Sequence, residues 1–361
     1  MVGRQVRNLQ TLFQQTMIND IIRRYKRLRN RQLLGRTIEG EYAFVGVGHH
    51  SISNLYPALD YLHVPLKYIC CRSCGKLALV ERQWRGVHAT TSLEEILSDE
   101  SVKGVFVSVD PAAHFDMAQR IMGSGKALFI EKPPCRTLAE LQQLIGMEME
   151  KAVVTAVGMQ KRFAPATRIL ANRLMRETVL TYNMRYVTGS YPEGDALTDL
   201  FIHPLDYACY LFGKAEVCCC QHVRGRNGTT CLLTLKHNNI RGVLELSTAY
   251  SWYDATETLT VNTEHGVYAV DRMETLTFTP KQSHLFGIPV EKVLCRNATT
   301  EVLFARNNFV PAVGNNQIYT QGFLNEIKAF VQTVQGGSRF GPPCGFASMY
   351  DTYSLMAAIN Q

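Results

Sequence analysis

The chain of 361 residues is 46% hydrophobic and 19% charged, the balance of a globular protein long enough for two cores. No apolar run reaches the roughly 18 residues of a membrane span, and the opening stretch lacks the apolar segment and small-residue cleavage site of a secretory signal, so a cytoplasmic protein is expected. The net charge of +7 is local: residues 1–40 carry nine Lys and Arg against Asp20 and Glu39, leaving 29 basic and 29 acidic residues elsewhere. A neutral body gives no reason to expect a nucleic-acid partner.

Taken in chain order, residues 1–40 read as one basic amphipathic helix. Leu9, Leu12, Phe13, Met17, Ile21, Ile22, Tyr25 and Leu28 recur at three- and four-residue steps, one face of a helix. Three uses stay open for it. It packs on the body or on another subunit with solvated arginines outward, it meets an anionic membrane surface or nucleic acid, or it is a spacer from a partner domain.

From residue 41 to 158 the grammar is strand and helix in alternation. The apolar runs YAFVGV (42–47), PLKYICC (65–71), VKGVFVSV (102–109), KALFIEKP and VVTAVGMQ are predicted strands. Helices are expected at SISNLYPALDYL, SLEEILSD, PAAHFDMAQRIMGSG and TLAELQQLIGMEME, with Ser92 and Glu95 in capping-box spacing. Fully apolar strands separated by helices imply a parallel sheet covered on both faces, a Rossmann-type doubly wound domain. Residues 159–361 differ. Alternating strand-like runs such as VLTYNMRYV, TCLLTLKH and ETLTVNTEHGVYAV surround one central helix, ALTDLFIHPLDYACYLFG, and two helices close the chain. An α+β domain on a large, mostly antiparallel open sheet is expected.

The first strand runs into GVGHHS, residues 46–51. Gly46 and Gly48 hold the first two positions of a GxGxxG dinucleotide fingerprint, and Ser51 stands where the third glycine would be. Gly46 suits the tight turn and Gly48 the close approach of a pyrophosphate to the helix N-terminus. Ser51 is small enough to replace a glycine whose main task is helix–strand packing, and its hydroxyl could cap the helix or reach a phosphate. His49 and His50 flank the pyrophosphate and read as non-catalytic. The second strand ends in CCRSCGK with Arg72, Ser73 and Lys76 and no acid, which favours the 2′-phosphate of NADP over the diol of NAD.

The 11 cysteines, at 70, 71, 74, 135, 209, 218, 219, 220, 231, 295 and 344, have no paired metal-ligand spacing. They are expected to be buried as small hydrophobes, and no metal is predicted.

Three ordered segments, IEKPPCRTLAEL, VGMQKRFAP (157–165) and TDLFIHPLDYACYLFG (198–213), with the tail GFLNEIKAFVQTVQGG, resemble the glucose–fructose oxidoreductase/inositol dehydrogenase (Gfo/Idh/MocA) family. The resemblance covers nearly everything after residue 41. It implies Lys132 beside the transferred hydride, with Asp199 and His203 as its catalytic partners and Glu131 and Lys132 at the cofactor. His203 suits proton transfer to or from a hydroxyl, and Lys132 suits a developing alkoxide. Asp199, His203 and Asp206, at i, i+4 and i+7, are expected on one helix face toward substrate, and Arg162 as a contact for an anionic or polyhydroxyl substrate. The turn before that helix, SYPEGDALTDL, is bulkier than the glycine-rich turn of relatives. The expected activity is hydride transfer at a hydroxyl or keto carbon of a sugar, cyclitol or sugar nucleotide by a homodimer or homotetramer. Two rivals remain: a regulatory NAD(P)-binding subunit acting through the leader, and a redox-neutral lyase with tightly held NAD.

Overall fold

A computed structural model describes residues 17–28, 38–281, 284–292, 299–307, 309, 316–336 and 344–359. The chain divides into two compact units, Met1–Glu39 and Gly40–Gln361. In the first, residues 17–28 form helix α1, on which Met17, Ile21, Ile22, Tyr25 and Leu28 are exposed. Leu9, Leu12 and Phe13 lie outside the described residues.

The second unit begins with six parallel strands: β1 Glu41–Val45, β2 Leu66–Cys70, β3 His88–Thr90, β4 Val102–Val107, β5 Ala127–Glu131 and β6 Thr155–Gly158. Their order is β3-β2-β1-β4-β5-β6, so the chain reverses direction across the sheet at β1 and leaves a crevice beyond its C-terminal end. The helices between them are α2 Tyr56–Tyr61, α3 Leu77–Gln83, α4 Leu93–Ser98, α5 His114–Gly123 and α6 Leu138–Lys151. Strand β3 and helix α3 were not among the predicted elements, because a three-residue strand carries too few positions for a period to register. Ser92 does cap α4, accepting from Glu95 N, but the Glu95 carboxylate turns to Thr90 Oγ1 at 2.6 Å and does not close a capping box. A full capping box instead opens α6 at Thr137 and Glu140.

After α7, Pro165–Leu174, an eight-stranded sheet follows. Its strands are β7 Val179–Val187, β8 Glu216–Arg224, β9 Thr229–His237, β10 Ile240–Ser247, β11 Thr256–Thr263, β12 Gly266–Asp271, β13 Thr275–Pro280 and, beyond the short pair β14 His284–Leu285 and β15 Ile288–Pro289, β16 Glu301–Ala305. The order is β16-β13-β12-β11-β7-β10-β9-β8, antiparallel throughout except where β10 runs parallel to β7. Helix α8, Ile202–Phe212, is apolar nearly all round and buried over most of its length, so it fills the space over this sheet.

The chain returns to the first sheet at its end. Helices α9 Gln317–Thr320 and α10 Phe323–Val334 break at Gly322, where the expectation was one continuous helix. Phe330 of α10 meets Phe106 and Phe129 of the parallel sheet at 5.2 and 5.8 Å between ring centroids, a burial that contributes about 1.5–3 kcal/mol. Helix α11, Tyr350–Ile359, lies against α6 and α8. The expectation of cysteine burial holds for Cys70, Cys71, Cys135, Cys209, Cys231 and Cys344, but Cys74, Cys218 and Cys219 are exposed. The reason for the last two is that β8 is an edge strand with little covering it.

Candidate active site

The glycine turn is built by close backbone approach. Gly46 has φ +119°, and a Cβ there would sit 2.0 Å from the Ser108 carbonyl oxygen after β4, so no side chain is admissible. Tyr56 Oη donates to the Gly46 carbonyl at 3.0 Å, holding the turn from α2. Gly48 differs: a Cβ there would meet nothing within 4 Å, which leaves its backbone open toward the crevice. Ser51 is fully buried and donates to Ser108 Oγ at 3.1 Å. Its hydroxyl therefore ties helix to strand, the packing task of the third glycine, and no side chain caps the turn that it opens.

Beyond this turn lies a cavity of about 910 Å³ whose walls include Gly46, Gly48, His49, His50, Ser51, Arg72, Ser73, Lys76 and Arg120. Its size lies in the range of cofactor clefts. The dinucleotide that this sheet topology implies fits two features: the open backbone at Gly48, and Arg72 and Lys76 in a cavity wall that Glu94 and Asp110 also line. Arg120 is itself paired with Glu94, whereas Arg72, Ser73 and Lys76 are exposed.

The Glu-Lys-Pro segment ends β5. The Lys132–Pro133 peptide bond is cis, and buried His114 donates from Nδ1 to the Pro133 carbonyl at 2.7 Å, fixing the loop from α5. Glu131 is buried. Its carboxylate occupies the space that a side chain at residue 158 would need, since a Cβ on Gly158 would lie 2.8 Å from Glu131 Cδ. Glu131 Oε1 lies 3.1 Å from His50 Nε2, close enough for an ion pair, although neither atom has an aligned hydrogen bond. Asn54 lies 3.1 Å from His50 Nδ1; an amide N–H donating there leaves the ring proton on Nε2, facing Glu131. His50 thus belongs both to the cavity wall and to the Glu-Lys-Pro segment, a role that its place inside GVGHHS did not reveal.

Lys132 reaches across to the second domain and donates from Nζ to the Asp199 carbonyl. Burial pushes its pKa below the ordinary lysine value, opposed by the nearby Glu131 and Asp199 charges. Asp199 lies in a π-helical turn, Leu197–Phe201, that precedes α8. A second π-turn, Ser51–Leu55, precedes α2, so the two wider turns both occur beside the crevice. Asp195 holds the first of these, accepting from Thr198 Oγ1 at 2.9 Å and from Thr198 N at 3.2 Å. Tyr191 of the same loop donates to Asp199 Oδ2 at 3.4 Å.

His203 is buried, and its Nδ1 has no hydrogen-bond partner among the described residues. Burial, followed by the cations Lys132 and Lys161 and by His50, holds its pKa well below the usual 6.5, so the ring is neutral at neutral pH. Lys161 sits in the turn Gln160–Phe163 after β6. It pairs with buried Glu257 of β11 and lies 4.8 Å from the Tyr186 ring centroid.

The structure separates residues that the spacing had grouped. Asp206 does not share the surroundings of His203. It accepts from Arg162 Nε at 2.8 Å and from Arg162 Nη2, and takes a further bond from Thr352 Oγ1 at 3.0 Å. Arg162 also donates to Ser348 Oγ at 2.9 Å. Both are almost wholly buried, Arg162 at 4% and Asp206 at 2% exposure. A forked, doubly bonded pair almost wholly out of solvent braces the residue-162 turn, α8 and α11 together. The basic residue brought to the His203 side is Lys161, its neighbour. The signal lay in KRF, but adjacent residues of a tight turn point to different sides and spacing alone could not choose.

Residues 41–159 match the GFO_IDH_MocA family model, described as oxidoreductase family, NAD-binding Rossmann fold. The UDP-N-acetylglucosamine 3-dehydrogenase of Acidithiobacillus ferrooxidans is 30% identical over 136 residues, 36% of this chain and 41% of that protein. The chain spans about half, or less, of the length of the curated relatives it matches. Across both domains the fold is that of a dehydrogenase from Chromobacterium violaceum (TM-score 0.76, 19% identity, 90% of this chain and 95% of that one). It is also that of a 3-ketoreductase from Actinomadura kijaniata solved with TDP-benzene and NADP (TM-score 0.68, 17% identity, 90% and 97%).

Proposed function

We infer, for a chain whose residues 41–159 match the Gfo/Idh/MocA oxidoreductase family model, an NAD(P)-dependent oxidoreductase acting at a hydroxyl or keto carbon of a sugar, cyclitol or sugar nucleotide. The observation that carries this reading is a buried, neutral His203 beside two lysines, Lys132 and Lys161, reached through His50 and Glu131 from a dinucleotide-sized cavity.

A bound dinucleotide supplies the acceptor or donor of hydride. The protein's own groups manage the proton and the charge. His203, kept unprotonated by its surroundings, takes the hydroxyl proton on its imidazole when the substrate is oxidised. The Lys132 ammonium, oriented by the Asp199 carbonyl, stabilises negative charge developing on the same oxygen. Lys161 adds a second positive charge, braced by Glu257. Substrate hydroxyls are natural partners for the unsatisfied atoms His203 Nδ1 and Glu257 Oε1, because buried polar atoms without partners are costly.

NADP is the preferred cofactor, supported by Arg72, Ser73 and Lys76 at the β2 end of the cavity and by the absence of an acid among them. The proposal extends to a cytoplasmic homo-oligomer, with the open face of the eight-stranded sheet as the assembly surface. The direct test is a screen of sugar nucleotides, inositols and free sugars for appearance or loss of reduced nicotinamide absorbance. Turnover on members of one of these classes is the expected result. Cofactor binding without turnover on any of them, with release of the cofactor on gel filtration, would replace this reading with the regulatory one.

A further inference from the structure

We propose a zinc site on the edge of the eight-stranded sheet, formed by Cys220, His222 and Cys231. The ligand atoms of these three residues lie within 4.8 Å of one another. Cys220 Sγ is 3.7 Å from Cys231 Sγ and 3.3 Å from His222 Nε2. Tetrahedral zinc with its ordinary bond lengths to sulfur and nitrogen requires ligand separations of about 3.8 Å for two sulfurs and about 3.6 Å for sulfur and nitrogen. The two separations that involve Cys220 are therefore within a few tenths of an ångström of what zinc demands, and His222 lies within 4.8 Å of Cys231.

A break in strand register creates it. Val217 pairs with Leu235, but Cys219 pairs with Thr234, so Cys218 is an extra residue, a β-bulge in β8. Beyond the bulge Cys220 faces Leu233 and His222 faces Cys231. Without the extra residue, Cys219 and Gln221 would take those places and Cys220 and His222 would turn to the other face, since side chains alternate along a strand. The sequence CCCQH thus presents a sulfur and an imidazole, two residues apart, to the one cysteine of β9. Burial is graded across the trio: Cys231 is buried, Cys220 half-buried and His222 exposed. That leaves one side of the cluster accessible to an incoming ion.

A disulfide is the poorer use of these sulfurs. Cys220 and Cys231 are diagonal rather than directly opposite in the ladder, and their sulfurs stand well beyond the roughly 2.05 Å of an S–S bond. On binding, the two thiols become thiolates and release two protons to solvent, His222 donates its neutral Nε2, and water completes the tetrahedron. Zinc held this way staples the edge strand β8 to β9. Its affinity falls as pH falls, because protons compete with zinc for both sulfurs.

The test uses the full chain, purified reduced, stripped with a chelator and titrated with zinc chloride against a chromophoric competitor. One tight zinc per chain is expected. Cys220→Ser, His222→Ala and Cys231→Ser should each weaken it by more than the roughly 100-fold upper cost of losing an outer-shell partner, while Cys74→Ser leaves it unchanged. Cys231 is buried and its variant can misfold, so exposed His222→Ala, checked by its melting curve without metal, is the deciding variant. No tight zinc binding in the wild type, wild-type zinc affinity in His222→Ala or Cys220→Ser, or a Cys220–Cys231 disulfide in freshly isolated protein would each overturn the proposal.

Discussion

His50 Nε2 lies 3.1 Å from Glu131 Oε1, joining the glycine turn after β1 to the Glu-Lys-Pro segment after β5. The two strands are separated in the sheet by β4, so this contact spans the crevice between the glycine turn and the segment that carries Lys132. A partly exposed ion pair of this kind contributes up to about 1 kcal/mol. His50→Ala should therefore lower kcat/KM by up to about 5-fold, whereas His49→Ala should change it little. Steady-state kinetics of the two variants decide the matter, and equal losses would remove the distinction between the two histidines.

Lys132→Ala and His203→Ala should both largely keep cofactor affinity, because both leave the glycine turn and the Arg72–Lys76 end of the cavity intact. Each should lose turnover by about 10²- to 10⁴-fold, the usual contribution of a general acid or base. Fluorescence titration with the reduced cofactor and single-turnover rates separate binding from chemistry. Near wild-type turnover in either variant would refute the assignment.

The pH profile carries a sign. Substrate oxidation needs His203 unprotonated, and its pKa lies well below the usual 6.5. The oxidation rate should therefore stay level through neutral pH and fall only on the acid side of the ordinary histidine range. Lys161→Met removes one of the charges that disfavour the imidazolium, so the acid limb should move to higher pH. A limb that stays in place would place Lys161 outside the electrostatics of His203.

Arg162 and Asp206 make a stability prediction. Arg162→Ala leaves a buried carboxylate uncompensated and should cost about 3–5 kcal/mol, read as a lower Tm and a lower denaturant midpoint. The double replacement Arg162→Met with Asp206→Leu should recover much of the loss, since an apolar pair tolerates the same burial. A stable Arg162→Ala protein with only a raised KM would return Arg162 to the substrate.

For the cofactor, Arg72→Ala should weaken NADPH by about 10- to 100-fold, the worth of a charge-assisted hydrogen bond, and leave NADH nearly unchanged. Paired titrations with the two reduced cofactors measure this. Equal NADPH affinity in variant and wild type would overturn the preference for NADP.

By itself the sequence determined the features that depend on period and on local backbone chemistry. Apolar runs separated by helices specify a parallel sheet whatever the surroundings, alternation specifies the second sheet, and a glycine between strand and helix marks the turn where only glycine fits. Ser51 was readable as a stand-in for glycine because its size sets helix–strand packing, and its bond to Ser108 fulfils that task. The tertiary structure decided which way particular side chains point, wherever the regular period is broken. The π-turn at Leu197–Phe201 and the bonds from Arg162 and Thr352 set Asp199, His203 and Asp206 apart, although i, i+4, i+7 spacing placed them together. The tight turn at Gln160–Phe163 brought Lys161 rather than Arg162 to the His203 side, and one bulged residue in β8 gathered Cys220, His222 and Cys231. A period reports the average direction of side chains along an element. A single extra residue in a turn or strand reverses that direction, and its position is set by packing against distant parts of the chain.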